Sequence, residues 1–239
     1  MSLDNEFLAW RRRIVEVARE HRRLLLCPVR TREFVDGPEE RVRQGLLHFL
    51  VDLSKDIGFE LCAERERHDI DLRWPMPRDL RPPIPPMLII ETKVDETAGQ
   101  WTNKQLGQYL AETNGDCGIV FTGRRMWQLN MVGTQYQSAP LSSLGELVNL
   151  IQARAKIDPL EGVHVDFAAA QGGDIAALRR LVARYRYATF VLRVCDREVP
   201  CRNIRIDGDV LEYRPAGQHV QRPLRANVRD VKQLVRIEP

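Results

Sequence analysis

Met87-Leu88-Ile89-Ile90-Glu91-Thr92-Lys93 is an apolar run that closes on an acid and a base two residues apart. Residues i and i+2 of a strand share a face. Glu91 and Lys93 therefore project together from the end of what reads as a buried strand. Upstream, His68-Asp69-Ile70-Asp71-Leu72-Arg73-Trp74 repeats the device: Asp69 and Asp71 share one face, and Ile70, Leu72 and Trp74 the other. Two short strands joined by a loop bring carboxylates and a lysine to one place.

The neighbouring pattern gives these strands a setting. Leu3, Phe7, Trp10, Ile14, Val17, Ala18 and Leu24 or Leu25 recur at helical spacing, which predicts a helix over residues 3–26. A second helix is expected from Pro38 to Asp56, with Asp36 as cap, Glu39 and Glu40 in the first turn, and Gly58 as its stop. Phe59 to Glu66 alternates as a strand before the one at His68. Pro75, Pro77, Pro82, Pro83, Pro85 and Pro86 crowd the connection to Met87; an insertion at a hairpin tip is favoured there over a rigid contact arm. Beyond Lys93 come a helix from Ala98 or Gly99 to Asn114, strands at Cys117–Thr122 and Met126–Val132, and a helix over residues 142–156. The order is helix, three strands, helix, two strands, helix.

Residues 158–173 read as a linker, with Asp158-Pro159, Glu161-Gly162 and Gly172-Gly173 as its breaks. Asp174 to Tyr187 reads as an arginine-rich helix. Five short strands follow at turn spacing: Thr189–Cys195, Val199–Ile206, Val210–Arg214, Val220–Leu224 and Val231–Ile237, with Asp207-Gly208 as a hairpin turn. Some fifty residues of short strands suit a small all-β barrel better than a wide sandwich. The expected fold is α/β: a mixed sheet flanked by helices in residues 1–157, and a helix plus a small barrel in residues 174–239.

Of 239 residues, 44% are hydrophobic and 29% charged, which suits a packed, water-soluble chain. No run is long and apolar enough to predict a membrane span, and the opening Met1-Ser2-Leu3-Asp4 has no leader-like pattern. Five cysteines without a CxxC pair are expected to be reduced thiols in the cytoplasm. Net charge is only +3, yet arginines cluster at Arg11–Arg13, Arg19, Arg22 and Arg23, and again from Arg179 to Arg214. Such clusters are a footprint of nucleic-acid binding, and equally of solvated faces in an arginine-rich composition.

The two strands have the parts for phosphodiester chemistry. Mg²⁺ takes one or two carboxylates and completes its shell with water and substrate phosphate. Asp71 or Asp69, with Glu91, supply the carboxylates, and the Thr92 backbone carbonyl, between Glu91 and Lys93, offers the metal a further ligand. Lys93 offers a cation for the nucleophile or the developing charge. The plain alternative is a surface hairpin with ordinary ion pairs. Against it, Ile-Ile-Glu-Thr-Lys ends an apolar run, where solvated pairs are not expected. The mechanism requires the Asp71 and Glu91 carboxylates on one sheet face.

Asp71…Glu91-Thr92-Lys93 resembles the Asp…Glu-x-Lys motif of the PD-(D/E)XK nuclease superfamily. Glu40-Arg41-Val42-Arg43-Gln44 resembles a helix in the N-terminal nuclease domain of type I restriction enzymes. Gln105-Leu106-Gly107-Gln108-Tyr109 is similar to the Gln-x-x-x-Tyr motif of the same branch, and Gly118 to Gly123 with Trp127 resembles the strand and turn that follow. The resemblance spans residues 38–130. It implies a restriction-endonuclease-like fold and Mg²⁺- or Mn²⁺-dependent DNA cleavage of restriction or defence type. Asp71, Glu91 and Lys93 would be catalytic, Glu40 an extra metal or water ligand, and Gln105 and Tyr109 supports of the site or DNA contacts. No proline precedes either aspartate, so the choice between Asp69 and Asp71 stays open, with Asp71 narrowly favoured.

No GxxxxGK[ST] occurs, so any ATP-driven translocation belongs to a partner ATPase or helicase subunit. DNA, or RNA, is the expected substrate, and a homodimer is the usual way to cut both strands. The C-terminal strands resemble an SH3-like or Sm-like barrel. The competing readings are a nuclease-fold binding module that does not cut, and a module whose second domain gates it in response to an effector.

Overall fold

The structure is a computed structural model that describes residues 2–19, 22–65, 68–95, 99–132, 135–217 and 223–239. The helices are α1 (Leu3–Arg11), α2 (Pro38–Ile57), α3 (Gln100–Thr113), α4 (Leu144–Ala155), α5 (Val163–Gln171) and α6 (Ile175–Arg184). The strands of the first half are β1 (Val15–Arg19), β2 (Arg22–Leu26), β3 (Glu33–Val35), β4 (Glu60–Arg65), β5 (His68–Arg73), β6 (Leu88–Thr92), β7 (Cys117–Phe121), β8 (Met126–Val132) and β9 (Gln135–Leu141). Those of the second are β10 (Thr189–Val194), β11 (Arg197–Asp207), β12 (Val210–Pro215), β13 (Leu224–Asn227) and β14 (Val231–Glu238). They form three sheets in two compact units, residues 1–75 with 85–157, and residues 76–84 with 158–239.

The first unit is built on a six-stranded sheet in the order β4-β5-β6-β7-β8-β9. Only β6 and β7 run parallel, because α3 carries the chain between them. All five residues of β6 and all five of β7 are buried. Such strands lose the apolar–polar alternation and read as continuous apolar runs. On one face Ile70, Leu72, Leu88, Ile90, Ile119 and Phe121 pack with Val42, Leu46 and Leu47 of α2 and Leu147 and Ile151 of α4. On the other, Ile89 and Val120 pack with Leu106 and Leu110 of α3. Gly118 permits this approach: a Cβ there would lie 2.8 Å from both Leu106 methyl carbons.

Helix α2 begins on Gly37, with Pro38 in its first turn and Glu39 and Glu40 beside the positive end of the helix dipole. It stops at Gly58, whose φ of 85° is left-handed. Asp36, expected as the cap, instead accepts hydrogen bonds from the Arg41 guanidinium at 2.7 and 2.6 Å.

The expected helix over residues 3–26 is corrected to a nine-residue α1 followed by a hairpin. Val15 pairs with Leu26 and Val17 with Leu24, and β3 adds a third strand. Ile14, Val15 and Val17 are β-branched and favour the extended chain once the turn at Arg12–Arg13 breaks the helix. Strand β9 was also absent from the pattern: Gln137, Ser138, Ala139 and Pro140 are exposed on an edge strand that buries no regular face.

In the second unit α5 occupies the stretch expected as a linker; its Val163, Phe167 and Ala170 join the core formed by Leu178 and Leu181 of α6 and the sheet. The sheet order is β13-β12-β11-β10-β14: four strands in a meander, with the fifth returning beside the first. The expected barrel is corrected to an open sheet, since no sheet closes among the described residues. Part of the expected strand Val220–Leu224 lies outside them, as do Glu66 and Ala98; the strand seen in this region is β13. All five cysteines are free; Cys201 faces Phe190 across the ladder rather than Cys195. No helix among the described residues is long and apolar enough to cross a membrane.

The proline-rich connection between β5 and β6 is a contact arm, not a tolerated insertion. Met76–Ile84 belongs to the second unit. Leu80 is 1% exposed within its core and bridges Ile237 of β14, and the Arg81 amide donates to the Ile237 carbonyl at 2.9 Å while the Ile237 amide donates to the Asp79 carbonyl at 2.8 Å. Leu80→Ala is therefore expected to cost about 2–5 kcal/mol, the range for truncating a buried leucine. Urea unfolding together with hydrogen exchange in β14 checks this; a loss below about 0.5 kcal/mol, as for a surface loop, contradicts it.

Candidate active site

The candidate site stands where β6 leaves the sheet. Antiparallel pairing sets Ile70 opposite Ile90 and Asp71 opposite Ile89. Cross-strand partners share a face, and Ile89 and Glu91 share one by alternation. Asp71 and Glu91 therefore lie on one face of the sheet. The same register, continued one step, brings Asp69 opposite Glu91.

Glu91 is only 2% exposed. Its Oε1 lies 2.8 Å from Lys93 Nζ, and its Oε2 is buried with no hydrogen-bond partner. Burial, then the charge of Asp69, push its carboxyl up to about 7, against the opposing pull of Lys93. Lys93 is anchored through its backbone: its amide donates to the Phe121 carbonyl at 3.0 Å, extending the β6–β7 pairing. Its ammonium also reaches Glu39 Oε1 at 3.1 Å. Burial opposes the lysine charge, but the hydrogen bonds and charges of Glu91 and Glu39 outweigh it and raise its pKa above the ordinary range.

Asp69 and Thr92 hold one another. Asp69 Oδ2 accepts from the Thr92 amide at 2.8 Å and from the Thr92 hydroxyl at 2.7 Å. Its Oδ1 lies 3.2 Å from Arg43 Nη1. Arg43 in turn pairs with Glu40, which also accepts from the Gln44 amide. The first turns of α2 thus send Glu39 to Lys93 and, through Arg43, tie Glu40 to Asp69. Asp71 sits two residues deeper, with its Oδ2 3.1 Å from Arg73 Nη2.

The expected residues are consequently brought together unequally. Asp69, Glu91, Thr92 and Lys93 form one cluster, with Glu40 joined to it by Arg43. Asp71 shares the sheet face and is held by Arg73. Gln105 donates to the Tyr109 hydroxyl at 2.8 Å, and Tyr109 packs against the apolar cluster that contains Ile89. No hydrogen bond joins Gln105 to a carboxylate of the cluster among the described residues. The side chains of Glu64 and His68, on the neighbouring strands, lie outside the described ones. Two participants had not been singled out: Glu39, whose place in the first turn of α2 reads as a dipole partner, and Arg43, which sits inside the Glu40–Gln44 motif but resembles any other arginine until the fold sets it over Asp69.

Among the described residues no group of three or more His, Cys, Asp or Glu side chains is placed to hold a metal ion. The orphaned Glu91 Oε2 and the mutual repulsion of Glu91 and Asp69 fit a two-carboxylate site, which is what Mg²⁺ ordinarily asks of a protein when substrate and water supply the other ligands.

No family model, curated protein or solved structure matches this chain.

The raised carboxyl carries a pH dependence. Because the folded-state pKa of Glu91 lies above its unfolded value of 4.5, the folded state binds more protons between them. This contribution to stability is present in full below about 4.5 and is lost as pH rises through about 7. In chelator, the wild type should lose stability relative to Glu91→Gln between pH 5 and pH 8. Urea unfolding of both at each pH measures the difference; a constant difference shows that Glu91 does not titrate in this window.

Proposed function

We propose that this protein is a Mg²⁺-dependent DNA endonuclease of restriction or defence type. The observation that carries the proposal is the buried Glu91 carboxylate at the end of β6, one oxygen on Lys93, the other orphaned, and the Asp69 charge beside it. A surface ion pair keeps its carboxylate in water and leaves its pKa near the ordinary range. The mixed sheet with a parallel β6–β7 pair and helices on both faces also supports the restriction-endonuclease-like reading, as does the order of the motifs.

In this reading Asp69 and Glu91 hold the Mg²⁺, or Mn²⁺. When bound, the ion supplies Lewis-acid polarisation of the phosphate and a lower pKa for the attacking water. Thr92 fixes the Asp69 carboxylate through its amide and hydroxyl. Lys93 stands as the cation beside the nucleophile or the charge that develops on the phosphate. Arg43 neutralises Asp69 while the ion is absent, so that cation and guanidinium compete for that carboxylate. Glu40 and Gln44 position Arg43, Asp71 and Arg73 brace β5, and Gln105 with Tyr109 stiffens the adjoining face of α3. The open five-stranded sheet of the second unit does not by itself assign that unit a role. The expected cytoplasmic setting, a homodimer for double-strand cutting and a helicase or ATPase partner belong to the same proposal.

A second reading has its own support. Asp69, Glu40 and Glu39 are each matched by Arg43 or Lys93, which suits a binding or effector-gated module that does not cut by itself. Plasmid and oligonucleotide cleavage with Mg²⁺ or Mn²⁺ separates the two. Glu91→Ala, Lys93→Ala and Asp69→Asn should each lower the rate roughly 100-fold or more, as loss of a charge-stabilising group does, and Asp71→Asn should cost less than Asp69→Asn. Cutting by the Glu91 and Lys93 variants at the wild-type rate removes the active-site assignment. A wild type that binds DNA in a salt-sensitive way yet cuts no substrate favours the second reading.

A further inference from the structure

The second unit carries an arginine-lined groove that the cleavage site does not use. Along α6, Ala177, Leu178 and Leu181 face the core. Arg179, Val182 and Ala183 form a separate stripe at i, i+3 and i+4 on one side of α6, and Arg186 follows two residues beyond its end. That stripe forms one wall of a groove of about 810 Å³. Strands β11 and β12 form the other wall, with Arg205 and Arg214. The strand wall is shaped by a break in the β11–β12 register between Arg202 and Arg205, where Asn203 adopts a left-handed φ of 50°.

The charges in this groove are poised for a ligand rather than for one another. Among the described residues Arg186, Arg205 and Arg214 have no carboxylate partner, and Arg179 donates only to the Gly208 carbonyl, at 2.5 Å. The acid in the lining, Glu212, is engaged by Arg225, with nitrogens at 2.7 and 2.6 Å from its Oε1. Elsewhere on the unit Arg180 pairs with Asp166, Arg193 with Glu198 and Arg236 with Glu238, while Arg184, Arg197, Arg202 and Arg229 have no carboxylate partner among the described residues but do not line the groove. Four arginines thus line one groove whose acid, Glu212, is already engaged by Arg225, and guanidinium forks match phosphate oxygens two at a time.

The rest of the lining narrows the class of anion. Val182 on the helical wall and Ile204 and Ile206 on β11 give the groove apolar lining, and Tyr187, also in the lining, is 86% exposed. A free phosphate or a duplex backbone would use the rim alone. A single strand offers phosphates to the arginines and base faces to the apolar lining and the tyrosine ring, the combination by which single strands are held without sequence readout. A groove of this size takes roughly one or two nucleotides. We propose that this groove of the second unit binds single-stranded nucleic acid, with Arg179, Arg186, Arg205 and Arg214 on the phosphates and Tyr187 stacked on a base. The inference stands on the second unit alone and does not depend on cleavage.

The test uses the full chain in chelator, with fluorescence anisotropy of a dye-labelled oligothymidylate over a range of salt. Arg186→Ala/Arg205→Ala/Arg214→Ala should weaken binding at least tenfold and flatten the logarithmic salt dependence by about 2, since each lost single-strand phosphate contact removes about 0.7. Arg180→Ala/Arg193→Ala/Arg236→Ala removes the same charge from paired arginines of the same unit and should bind as the wild type does. Tyr187→Ala should weaken binding about fivefold or more, with Tyr187→Phe restoring it. Because every substituted side chain is solvent-exposed or rim-lying, thermal melts of all variants should superimpose. The inference is overturned if the groove triple variant binds like the wild type, if both triple variants weaken equally, or if vesicles of anionic phospholipid bind the protein while the oligonucleotide does not. A Glu91→Gln protein that fails to cut yet binds normally leaves the groove assignment intact and bears only on the cleavage reading.

Discussion

A strand covered on both faces can end in charge only if those charges satisfy one another, because the layers that bury the strand also keep water from its tip. Strand β6 is in that position, between the α2 and α4 face and the α3 face. Its last residues are Glu91 and Thr92, and Lys93 follows. Glu91 cannot be solvated as a surface carboxylate is, and its proton affinity rises accordingly. Lys93 neutralises it from two residues away, Glu39 shares the lysine from the start of α2, and Asp69 turns to the Thr92 amide and hydroxyl. The whole cluster follows from ending a doubly covered strand on an acid. Removing one partner from such a set costs more than the pair contributed, because the other charge is left buried.

Much of this arrangement was legible in the chain. The unbroken apolar run of β6 identifies a doubly covered strand, and α2 is bracketed by its proline, its acids and Gly58. Glu91 and Lys93 stand out because charges are not expected there. Which neighbours Asp69 and Asp71 have was not legible, since alternation puts both on the same face and only pairing with β6 sets Asp71 opposite Ile89 and Asp69 one step further along. That register is fixed across a connection whose prolines carry no local signal of it. The N-terminal segment misled for a related reason: Ile14, Val17 and Ala18 fit a 3.6-residue period as well as part of a two-residue one. Helix α5 was hidden by its flanking glycines, which read as a linker, while its Val163 and Phe167 find a core only once the sheet is assembled.

Arginine serves the two units in different ways. In the first, Arg43 stands against the part-buried Asp69 and Arg73 against the buried Asp71, so their charge is spent inside the fold. In the second, some surface arginines are paired with acids, and those lining one groove are not. A net charge of +3 gives no hint of this division, because it sums over both kinds. What matters for an external anion is how many guanidinium groups have no internal acid, and where they face.

The arm Met76–Ile84 gives the chain an unusual inheritance. Its Leu80 fills the core of the second unit although its sequence lies between two strands of the first. The polypeptide passes from one unit to the other at residues 75–76, 84–85 and 157–158. A recombination event with one breakpoint near residue 157 would leave the arm behind on one gene and its vacant socket on the other. The two units are therefore linked in descent as well as in chain: neither can be shuffled into a new protein as an uninterrupted cassette, and whichever partner the second unit serves, it must be acquired or lost together with the loop that joins β5 to β6.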